Sequence, residues 1–389
     1  MVTEKPVVAI WRNAWLPPSE TFVRNQIAAL NGWDVQRVGL IRASPSIVEP
    51  DFVTMPAARL TLPIRALQWF YPRFYRAGFM GLGRAQRHLE RHNVRLIHAH
   101  FGFDAILASE LSRRTDIPLV VTFHGYDVTE RLGTDLRQRW YERELRGVFE
   151  QAHTLIGVSD FITSRLIALG APGEKVVTSY IGVPVSDRPR SDAASGICFV
   201  GRLIQKKGVD DLLEAVSLLP SPHRSVRVTI VGDGPLRPDF EAQASRLGIN
   251  ADFVGYQPSS EVARLLDDSL LFCGPSKTST SGGREAFGMV FLEAAGAGIP
   301  AVAYRQGGVP EAVADGESGL LVPEGDVVAL SAALEDLLSN PDKAALLGRA
   351  GRDRVATRFD IRSCTADLER IYDKASASSS STPGPTPRR

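Results

Sequence analysis

Two glutamates that stand eight positions apart, Glu285 and Glu293, have the chemistry to bind a ligand rich in hydroxyl groups. A carboxylate accepts hydrogen bonds from two donors at once, which suits neighbouring sugar hydroxyls. Along one helix, a rise of ~1.5 Å per residue would separate the two by roughly 12 Å, about the span from a sugar to a ribose across a diphosphate. Glycine pairs lie on both sides, at Gly282-Gly283 and Gly307-Gly308. The alternative is that each glutamate is an ordinary solvated helix residue.

The segment around these glutamates reads as strand, glycine loop, helix and strand. Apolar runs from Ser269 to Cys273 and from Ile299 to Tyr304 predict buried strands, and the apolar spacing from Phe287 to Ala297 predicts a helix between them. The first amides of such a helix, with the positive end of its dipole, favour a phosphate at the loop before it. These amides belong to Phe287, Gly288, Met289 and Val290.

Two cations follow an earlier strand in the same half of the chain. The buried run Ile197 to Val200 is followed by G-R-L-I-Q-K-K-G, which places Arg202 and Lys207 in a loop at the carboxyl end of a strand. A planar guanidinium and an ammonium at that position can neutralise a diphosphate. The alternative is a basic rim on the helix that comes next.

Histidines mark strand ends in the first half of the chain. Val94 to His98 predicts a strand that leads into H-A-H-F-G-F-D, and ligands of open α/β sheets lie beyond the carboxyl ends of strands. We expect His98 and His100 on opposite faces, with His100, nearer the strand end, as the candidate for chemistry. The alternative is a structural histidine.

The next strand, Leu119 to Phe123, ends in H-G-Y-D, so we expect His124 and Asp127 at the same edge of the sheet. Near the start of the chain, Ser19 can cap a helix that begins at Glu20. A cap that only covers the sheet and a direct role for Ser19 or Glu20 are both consistent with this pattern.

The segment E-A-F-G-M-V-F-L-E, with A-G-I-P-A-V-A, G-G-V-P-E and D-G-E-S-G-L-L-V after it, resembles the donor site of retaining glycosyltransferases of family 4, the glycosyl transferases group 1. The resemblance covers roughly residues 7–374, and S-E-T-F-V-R-N-Q is similar to the start of exopolysaccharide-type members. It implies an α/β protein of the GT-B fold, with two Rossmann-like domains facing a central cleft. One departure is Ala286, which stands where the family usually has glycine.

The resemblance also implies a division of the chain and of its roles. Residues 1–184 would form the acceptor-side domain and 185–356 the nucleotide-sugar-binding domain. A helix over 357–374 would return to the first domain, and the tail 375–389, rich in Ser and Pro, is expected to be disordered.

In the mechanism that the family implies, a sugar moves from a nucleotide-sugar to a hydroxyl acceptor with retention of anomeric configuration. Arg202 and Lys207 would bind the donor diphosphate, Glu285 would orient the sugar and Glu293 the ribose. His100 would contact the donor from the first domain. His124, Asp127 and Ser19 would lie on the acceptor side. Fixed positive groups would take the place of a metal ion, so no metal and no other cofactor are expected.

Composition sets further limits. A net charge of +1 gives no argument for nucleic acid, and the absence of a long apolar run or a signal-peptide core makes a cytoplasmic location the expectation. Cys198, Cys273 and Cys364 lie in apolar surroundings and predict core residues rather than a disulfide frame or a zinc site.

The segment 62–95 combines aromatic residues with seven arginines and a single acid. It could contact an anionic membrane surface or a lipid-linked acceptor at the inner face of the cell membrane, or it could form a helix packed on the sheet with a solvated basic rim. The expected function is surface polysaccharide or glycolipid assembly. The alternatives are a natural-product glycosyltransferase, a nucleotide-sugar 2-epimerase and a non-catalytic nucleotide-sugar-binding partner.

Overall fold

The computed structural model describes residues 4–17, 20–43, 46–54, 71–129, 135–185 and 194–379, with the backbone alone for 71–80 and 379. These residues form two units. Unit 1 contains the chain up to Ile181 and again from Cys364 onward, and unit 2 contains Gly182–Ser363.

Unit 1 is built on a seven-stranded parallel sheet of order β3-β2-β1-β4-β5-β6-β7. Its strands are β1 (Val7–Trp15), β2 (Asp34–Arg42), β3 (Phe52–Val53), β4 (Val94–His100), β5 (Leu119–Phe123), β6 (Thr154–Gly157) and β7 (Val176–Thr178). Its helices are α1 (Thr21–Ala29), α2 (Tyr71–Arg91), α3 (Gly102–Thr115), α4 (Tyr126–Thr129), α5 (Leu136–Gln151) and α6 (Asp160–Ala168). β1 lies inside the sheet, third from one edge, and the later strands are added outward from it, β2 and β3 to one side and β4 to β7 to the other, as in doubly wound folds.

Unit 2 repeats this arrangement with a six-stranded parallel sheet of order β10-β9-β8-β11-β12-β13. Its strands are β8 (Ile197–Val200), β9 (Val228–Val231), β10 (Ala251–Gly255), β11 (Leu271–Gly274), β12 (Ala301–Tyr304) and β13 (Gly319–Val322). Its helices are α7 (Val209–Ser217), α8 (Arg237–Leu247), α9 (Ser259–Asp267), α10 (Met289–Gly296), α11 (Val309–Ala312), α12 (Val327–Ser339) and α13 (Pro341–Arg358). The loops after β8, β11 and β12 leave neighbouring strands at one edge, so the donor-site motifs converge there.

The last helix, α14 (Ile361–Ser379), places Tyr372 and Ala375 in the core of unit 1. Its extent corrects two expectations, because the helix begins at Ile361 rather than at 357 and continues beyond 374. Ala375 has no exposed surface, and this burial holds the helix together past the point where the Ser-rich composition predicts disorder. The rest of the predicted tail, 380–389, lies outside the described residues.

Residues 62–70 of the aromatic and basic segment lie outside the described residues, and helix α2 contains 71–91 of the rest. From residue 81 onward, Leu82, Ala85 and Leu89 are fully buried, whereas Arg84 and Arg87 are exposed. This part of the helix therefore packs on the protein through an apolar face and carries a basic rim on the other. Among the described residues, no helix has the length and apolarity needed to cross a membrane.

The three cysteines are free and buried, which confirms their prediction as core residues. Cys198 and Cys273 lie within β8 and β11, and Cys364 lies in α14. Burial raises the pKa of the Cys198 thiol to about 12, so this thiol stays protonated and unreactive at neutral pH.

Candidate active site

The centre of the site in unit 2 is an ion pair between Lys207 and Glu285, which are 78 positions apart in the sequence. The Lys207 Nζ donates to the Glu285 Oε2 at 2.5 Å, and the Ser276 hydroxyl donates to the same oxygen at 3.2 Å. The two charged side chains are 24% and 14% exposed, so the pair lies near the surface but is largely withdrawn from water. Lys207 and Glu285, both predicted from the sequence, are thus brought into direct contact.

The loops that carry this pair are fastened to each other through their backbones. The Lys277 amide donates to the Lys206 carbonyl at 2.7 Å. A Cβ on Gly208 would lie 1.9 Å from the Pro275 carbonyl oxygen, and Gly208 has a φ of +70°. Only glycine permits this close approach in that conformation, and it sets the distance between Lys207 and Ser276.

A second glycine contact holds Glu285 from the other side. The Gly308 amide donates to the Glu285 carbonyl at 2.9 Å, and a Cβ on Gly308 would meet the Ala286 carbonyl oxygen at 2.0 Å. The Gln306 side chain, which is buried, accepts a hydrogen bond from the Glu285 amide at 3.3 Å. The G-G-V-P-E loop therefore acts as a rigid backing for the Glu285 backbone.

Helix α10 begins at Met289, two residues later than the sequence predicts, with Gly288 at its N-cap in a left-handed conformation. Glu285 thus lies outside the helix, and the helical estimate of about 12 Å between Glu285 and Glu293 does not apply. The Phe287 side chain is buried and packs edge-on against Phe359 at 5.5 Å. Because its side chain is buried, Phe287 can offer a ligand only its backbone. The amides of the first turn of α10 follow it and can bind the same ligand.

The two candidate glutamates differ in electrostatics. Burial raises the pKa of the Glu285 carboxyl, but the ammonium groups of Lys207 and Lys206 and the hydrogen bonds to it outweigh this, and the net pKa is lower than usual. Glu285 is therefore an anion at neutral pH. Glu293 is solvent-exposed, yet the protein around it displaces water and raises its pKa. Glu293 therefore takes up a proton more readily than Glu285 does.

Arg202 lies in the loop after β8 with an exposed side chain, and no ion pair to it is found among the described residues. The loop is held by the Leu203 amide, which donates to the Asp233 carbonyl at 2.9 Å. The G-D-G turn thus supports this loop, and a Cβ on Gly234 would lie 2.3 Å from the Leu203 carbonyl oxygen. Arg202 is accordingly placed to meet an anion from outside the protein.

Sequence reasoning missed a partly buried charge cluster that fastens the Glu285 loop to α7. The Lys277 Nζ contacts the Asp210 Oδ2 at 2.9 Å and the Asp211 Oδ1 at 2.5 Å. The Tyr304 hydroxyl, fully buried in β12, donates to the Asp211 Oδ2 at 2.9 Å. We call Lys277, Asp210, Asp211 and Tyr304 the loop clamp. The signal available in the sequence was two adjacent acids in the first turn of a helix, together with a lysine three positions after the end of a strand.

In unit 1, His98 and His100 lie side by side, with ring centroids 4.3 Å apart. The expectation that they point to opposite faces is wrong, because residues two positions apart in a strand share a face. The two His98 nitrogens share hydrogen bonds with the hydroxyls of Tyr372, at 2.5 Å, and Thr122, at 2.8 Å. His98 is therefore a structural residue with both nitrogens occupied.

His100 and His124 form a hydrogen-bonded pair, with the His100 Nδ1 and the His124 Nε2 at 3.1 Å. The His124 ring also packs against Phe22, at 5.0 Å, and Phe101, at 4.4 Å. Burial is the main cause that lowers the pKa of both imidazoles well below the usual value, and the positive charge of Arg12 lowers it further. The pair is therefore neutral at physiological pH, with one nitrogen donating and the other accepting.

Asp127 holds the loops that carry these histidines. Its carboxylate is fully buried and accepts hydrogen bonds from three amides, those of Gly102 at 2.9 Å, His124 at 3.2 Å and Gly125 at 2.9 Å. Burial outweighs these bonds and raises its pKa to about 6. The geometry gives Asp127 a role in shaping the site. Ser19, the remaining acceptor-side candidate, lies outside the described residues.

Behind this pair is a buried guanidinium that binds two carboxylates. Arg12 contacts the Glu20 Oε1 at 2.6 Å and the Asp104 Oδ2 at 3.2 Å, and it lies over the Phe101 ring at 4.4 Å. Burial raises the pKa of Glu20 to about 7 and that of Asp104 to about 6, although Arg12 opposes both shifts. We call these three charged residues the Arg12 triad. The sequence offered Glu20 as a candidate but gave no sign of its partners.

The described part of the chain contains no group of three or more His, Cys, Asp or Glu side chains arranged to hold a metal ion.

Comparison with known proteins finds two family models along the chain. Glycosyltransferase Family 4 matches residues 20–187, and Glycosyl transferases group 1 matches residues 189–354. The amylovoran biosynthesis glycosyltransferase AmsK of Erwinia amylovora is 30% identical over 288 residues, which cover 71% of this chain and 69% of that protein. The GDP-mannose-dependent alpha-(1-6)-phosphatidylinositol monomannoside mannosyltransferase of Mycolicibacterium smegmatis is 30% identical over 306 residues, or 74% of this chain and 78% of that protein.

Among solved structures, Anabaena HepE in complex with UDP superposes with a TM-score of 0.74 at 19% identity, covering 95% of this chain and all of that one. At this identity the likeness establishes the fold. Together with the identity to AmsK and the two adjoining family models, it confirms the expectation from the sequence motifs. The chain belongs to glycosyltransferase family 4, the group 1 glycosyltransferases, has the GT-B fold of two Rossmann-like domains, and resembles exopolysaccharide-type members.

Proposed function

We propose that this glycosyltransferase moves a sugar from a nucleoside diphosphate sugar to a hydroxyl of a growing surface polysaccharide or glycolipid, with retention of configuration and without a metal ion. The observation that carries the proposal is the contact of Lys207 with Glu285, braced by Ser276 and by the Gly307-Gly308 loop. An anion and a cation held together at the carboxyl ends of β8 and β11 match the two halves of such a donor, its hydroxyl-bearing sugar and its diphosphate.

The first task of the site is to stabilise the charge on the leaving diphosphate. The exposed Arg202 guanidinium and the Lys207 ammonium provide positive charge, and the amides of Gly288, Met289 and Val290 provide the positive end of α10. These groups are fixed before the reaction, so the charge that develops on the diphosphate needs little reorganisation to be stabilised. We propose that they replace a metal ion in this role.

The second task of the site is to bind and orient the sugar and the nucleoside. Glu285 is ionised at neutral pH and accepts hydrogen bonds from sugar hydroxyls, while Glu293 accepts them from the ribose. The acceptor hydroxyl attacks the anomeric carbon on the face that the diphosphate leaves, and its proton passes to the departing phosphate oxygen. No protein base is required for this step.

Unit 1 contributes the neutral pair His100 and His124 and the loops that Asp127 holds. We propose that His100 contacts the donor and His124 the acceptor. Neutral imidazoles suit uncharged hydroxyls, because they both donate and accept. The likeness to AmsK supports surface polysaccharide as the acceptor class. The exposed Arg84 and Arg87 on α2 are available to an anionic lipid surface that would carry such an acceptor.

The test is nucleoside diphosphate release from UDP-, GDP-, ADP- and dTDP-sugars without acceptor, in the presence of EDTA, with Glu293→Ala as the control variant. We expect slow release from one donor, its loss in the variant, and a first-formed free sugar of the donor's own anomeric configuration, read by NMR before mutarotation. Silence across the panel, with no thermal shift by any nucleotide, contradicts a donor site in unit 2. An inverted sugar contradicts retention, and release that EDTA abolishes contradicts metal independence.

A further inference from the structure

The chain passes from unit 1 to unit 2 after Ile181 and returns after Ser363, and the segments beside these two crossings are paired with each other. The Val183 amide donates to the Phe359 carbonyl at 2.9 Å, and the Ile361 amide donates to the Val183 carbonyl at 3.1 Å. A Cβ on Gly182 would lie 2.6 Å from the Ile361 Cα. We call Gly182, Val183 and 359–361 the crossing pair. Its two segments are held in contact by backbone bonds and by the absence of a side chain at Gly182.

The crossing pair also contacts the loop after β11. We call this loop, 275–288, and the loop after β12, 305–308, the donor loops. Phe359 is fully buried, and its ring meets the Phe287 ring edge-on at 5.5 Å. Phe287 is the aromatic residue of the E-A-F-G segment, two positions after Glu285. A change in the position of Phe359 would therefore shift Phe287 and, with it, the backbone that carries Glu285 and leads into α10.

A second contact runs from Phe359 to the other donor loop. The Arg354 guanidinium lies over the Phe359 ring at 5.4 Å and donates to the Glu311 carbonyl at 2.8 Å. Glu311 ends the G-G-V-P-E sequence, whose Gly308 amide is bonded to Glu285. Phe359 thus contacts one donor loop through an aromatic pair and the other through a cation over its ring. The contacts of Phe359 with Phe287 and of Arg354 with Glu311 could not be predicted from the sequence, because each joins residues more than forty positions apart.

We propose that Phe359 is a positioning residue that couples the donor loops to the crossing pair, so that a nucleoside diphosphate at the loops and the pairing of Val183 with Phe359 and Ile361 stabilise each other. The coupling runs through packed side chains and is reciprocal by thermodynamic necessity. Its ligand-dependent part rests on the proposed function. Its ligand-free part does not, and the two are tested separately.

The ligand-free test measures hydrogen exchange at the Gly308 amide, which reports on the donor loops. Gly182→Ala disturbs the crossing pair alone, and we expect it to speed exchange at Gly308 by about two- to tenfold, the range that the energy of an aromatic pair corresponds to. Gly173→Ala is the control, because a Cβ there would meet nothing within 4 Å. In a Phe359→Leu background the effect of Gly182→Ala should vanish. An unchanged Gly308 amide in Gly182→Ala, or an effect that persists in that background, overturns the proposal.

The second test adds UDP, GDP and ADP separately and follows the Val183 and Ile361 amides. The nucleotide that slows exchange at Gly308 should also slow it at these two amides, and Phe359→Leu should abolish this distant effect while the nucleotide still binds. Phe272→Leu is the matched control, since Phe272 makes a similar edge-on contact, at 5.3 Å, with Phe291 of α10 but lies in β11.

The outcomes separate the two proposals. Protection of Gly308 without protection of Val183 and Ile361 in the unaltered chain overturns the coupling and leaves the proposed function standing. If no nucleotide protects any amide, the proposed function fails, and the ligand-free test alone decides the coupling. The second test needs no change at Gly182, so it also decides the coupling if Gly182→Ala does not fold.

Discussion

Single residues carry the charge that this site needs, and Lys207 and Glu285 illustrate how. A single charge is costly to hold in a partly buried place, and the contact of the two side chains at 2.5 Å offsets that cost. The pair thereby keeps an ammonium and a carboxylate at one point before any ligand arrives. Such preorganisation is the usual source of electrostatic catalysis.

Replacing either member of the pair should remove activity without unfolding the chain. We expect Lys207→Met and Glu285→Gln each to lower donor turnover by about 100-fold or more, the loss typical of a group that stabilises developing charge. Lys343→Met is the control, because it deletes an exposed ion pair with Asp336 at 2.6 Å and should leave turnover unchanged. The measurement is steady-state nucleoside diphosphate release, with circular dichroism as the check on folding. Near-normal turnover in Lys207→Met or Glu285→Gln contradicts the assignment of the pair.

At the scale of elements, the loops after β8, β11 and β12 are held by contacts that substitute for regular structure. Gly208, after β8, and Gly308, after β12, allow close backbone approaches. The loop clamp ties the remaining loop, the one after β11, to α7 through Lys277. Loops so fastened lose little entropy on binding a ligand. The clamp is therefore expected to matter for donor affinity as well as for stability.

Removing the clamp cation should affect both properties together. Lys277→Met leaves Asp210 and Asp211 side by side without a counter-charge. Because these charged side chains are only partly buried, we expect a loss of about 2 kcal/mol in the free energy of unfolding, less than for a fully buried pair. Because Ser276 precedes Lys277 and contacts Glu285, the KM for donor should rise more than kcat falls. Urea unfolding and donor kinetics are compared with Lys343→Met, whose exposed pair is worth at most about 1 kcal/mol. A destabilised variant with an unchanged KM would show that the clamp serves the fold alone.

The elements and the donor motifs could be predicted from the sequence because the information is local. Apolar runs define the buried strands, glycines and capping residues define their ends, and the carboxyl ends of parallel strands define where ligands bind. Contacts between distant positions could not be predicted in this way. The bond between His98 and Tyr372 spans 274 positions, and that between Lys277 and Asp211 spans 66. The first depends on where α14 packs in unit 1, and the second depends on the order of the strands in the sheet of unit 2.

Two expectations at element boundaries fail for identifiable reasons. Helix α10 starts at Met289 because Gly288 adopts a left-handed conformation, which the apolar spacing of the segment does not reveal. The terminal helix α14 continues into a Ser-rich stretch because Ala375 is buried in unit 1, so tertiary packing overrides composition. Local sequence pattern is weakest at such boundaries.

For the whole molecule, a net charge of +1 leaves little global repulsion, so the pH dependence of stability is set by buried groups. Unit 1 contains two sets of these with opposite signs. Burial raises the pKa values of three acids, Glu20, Asp104 and Asp127, so their contribution to stability is lost as the pH rises. Burial lowers the pKa values of three histidines, His98, His100 and His124, so their contribution is lost as the pH falls. The two sets therefore offset each other in mildly acidic solution.

Replacing one acid makes its share of this balance measurable. Burial raises the pKa of Glu20 from 4.5 to about 7, so the folded chain holds a proton there that the unfolded chain releases. The stability from that proton is complete below pH ~4.5 and is lost as the pH rises through 7. Glu20→Gln keeps the shape and the neutrality of the protonated acid. We therefore expect it to match the unaltered chain near pH 4.5 and to be more stable by up to about 3 kcal/mol near pH 8, at ~1.4 kcal/mol per pKa unit.

Urea unfolding at these two pH values gives the free energy of unfolding of the variant and of the unaltered chain. The difference between the two proteins cancels the contribution of every titratable group that they share. Glu317→Gln, at an exposed carboxyl, should show no such difference between the two pH values. If Glu20→Gln is instead the less stable protein near pH 8, the attraction of Arg12 for an ionised Glu20 outweighs the cost of burying it. The Arg12 triad would then be held together by charge, with its carboxylates ionised throughout the physiological range.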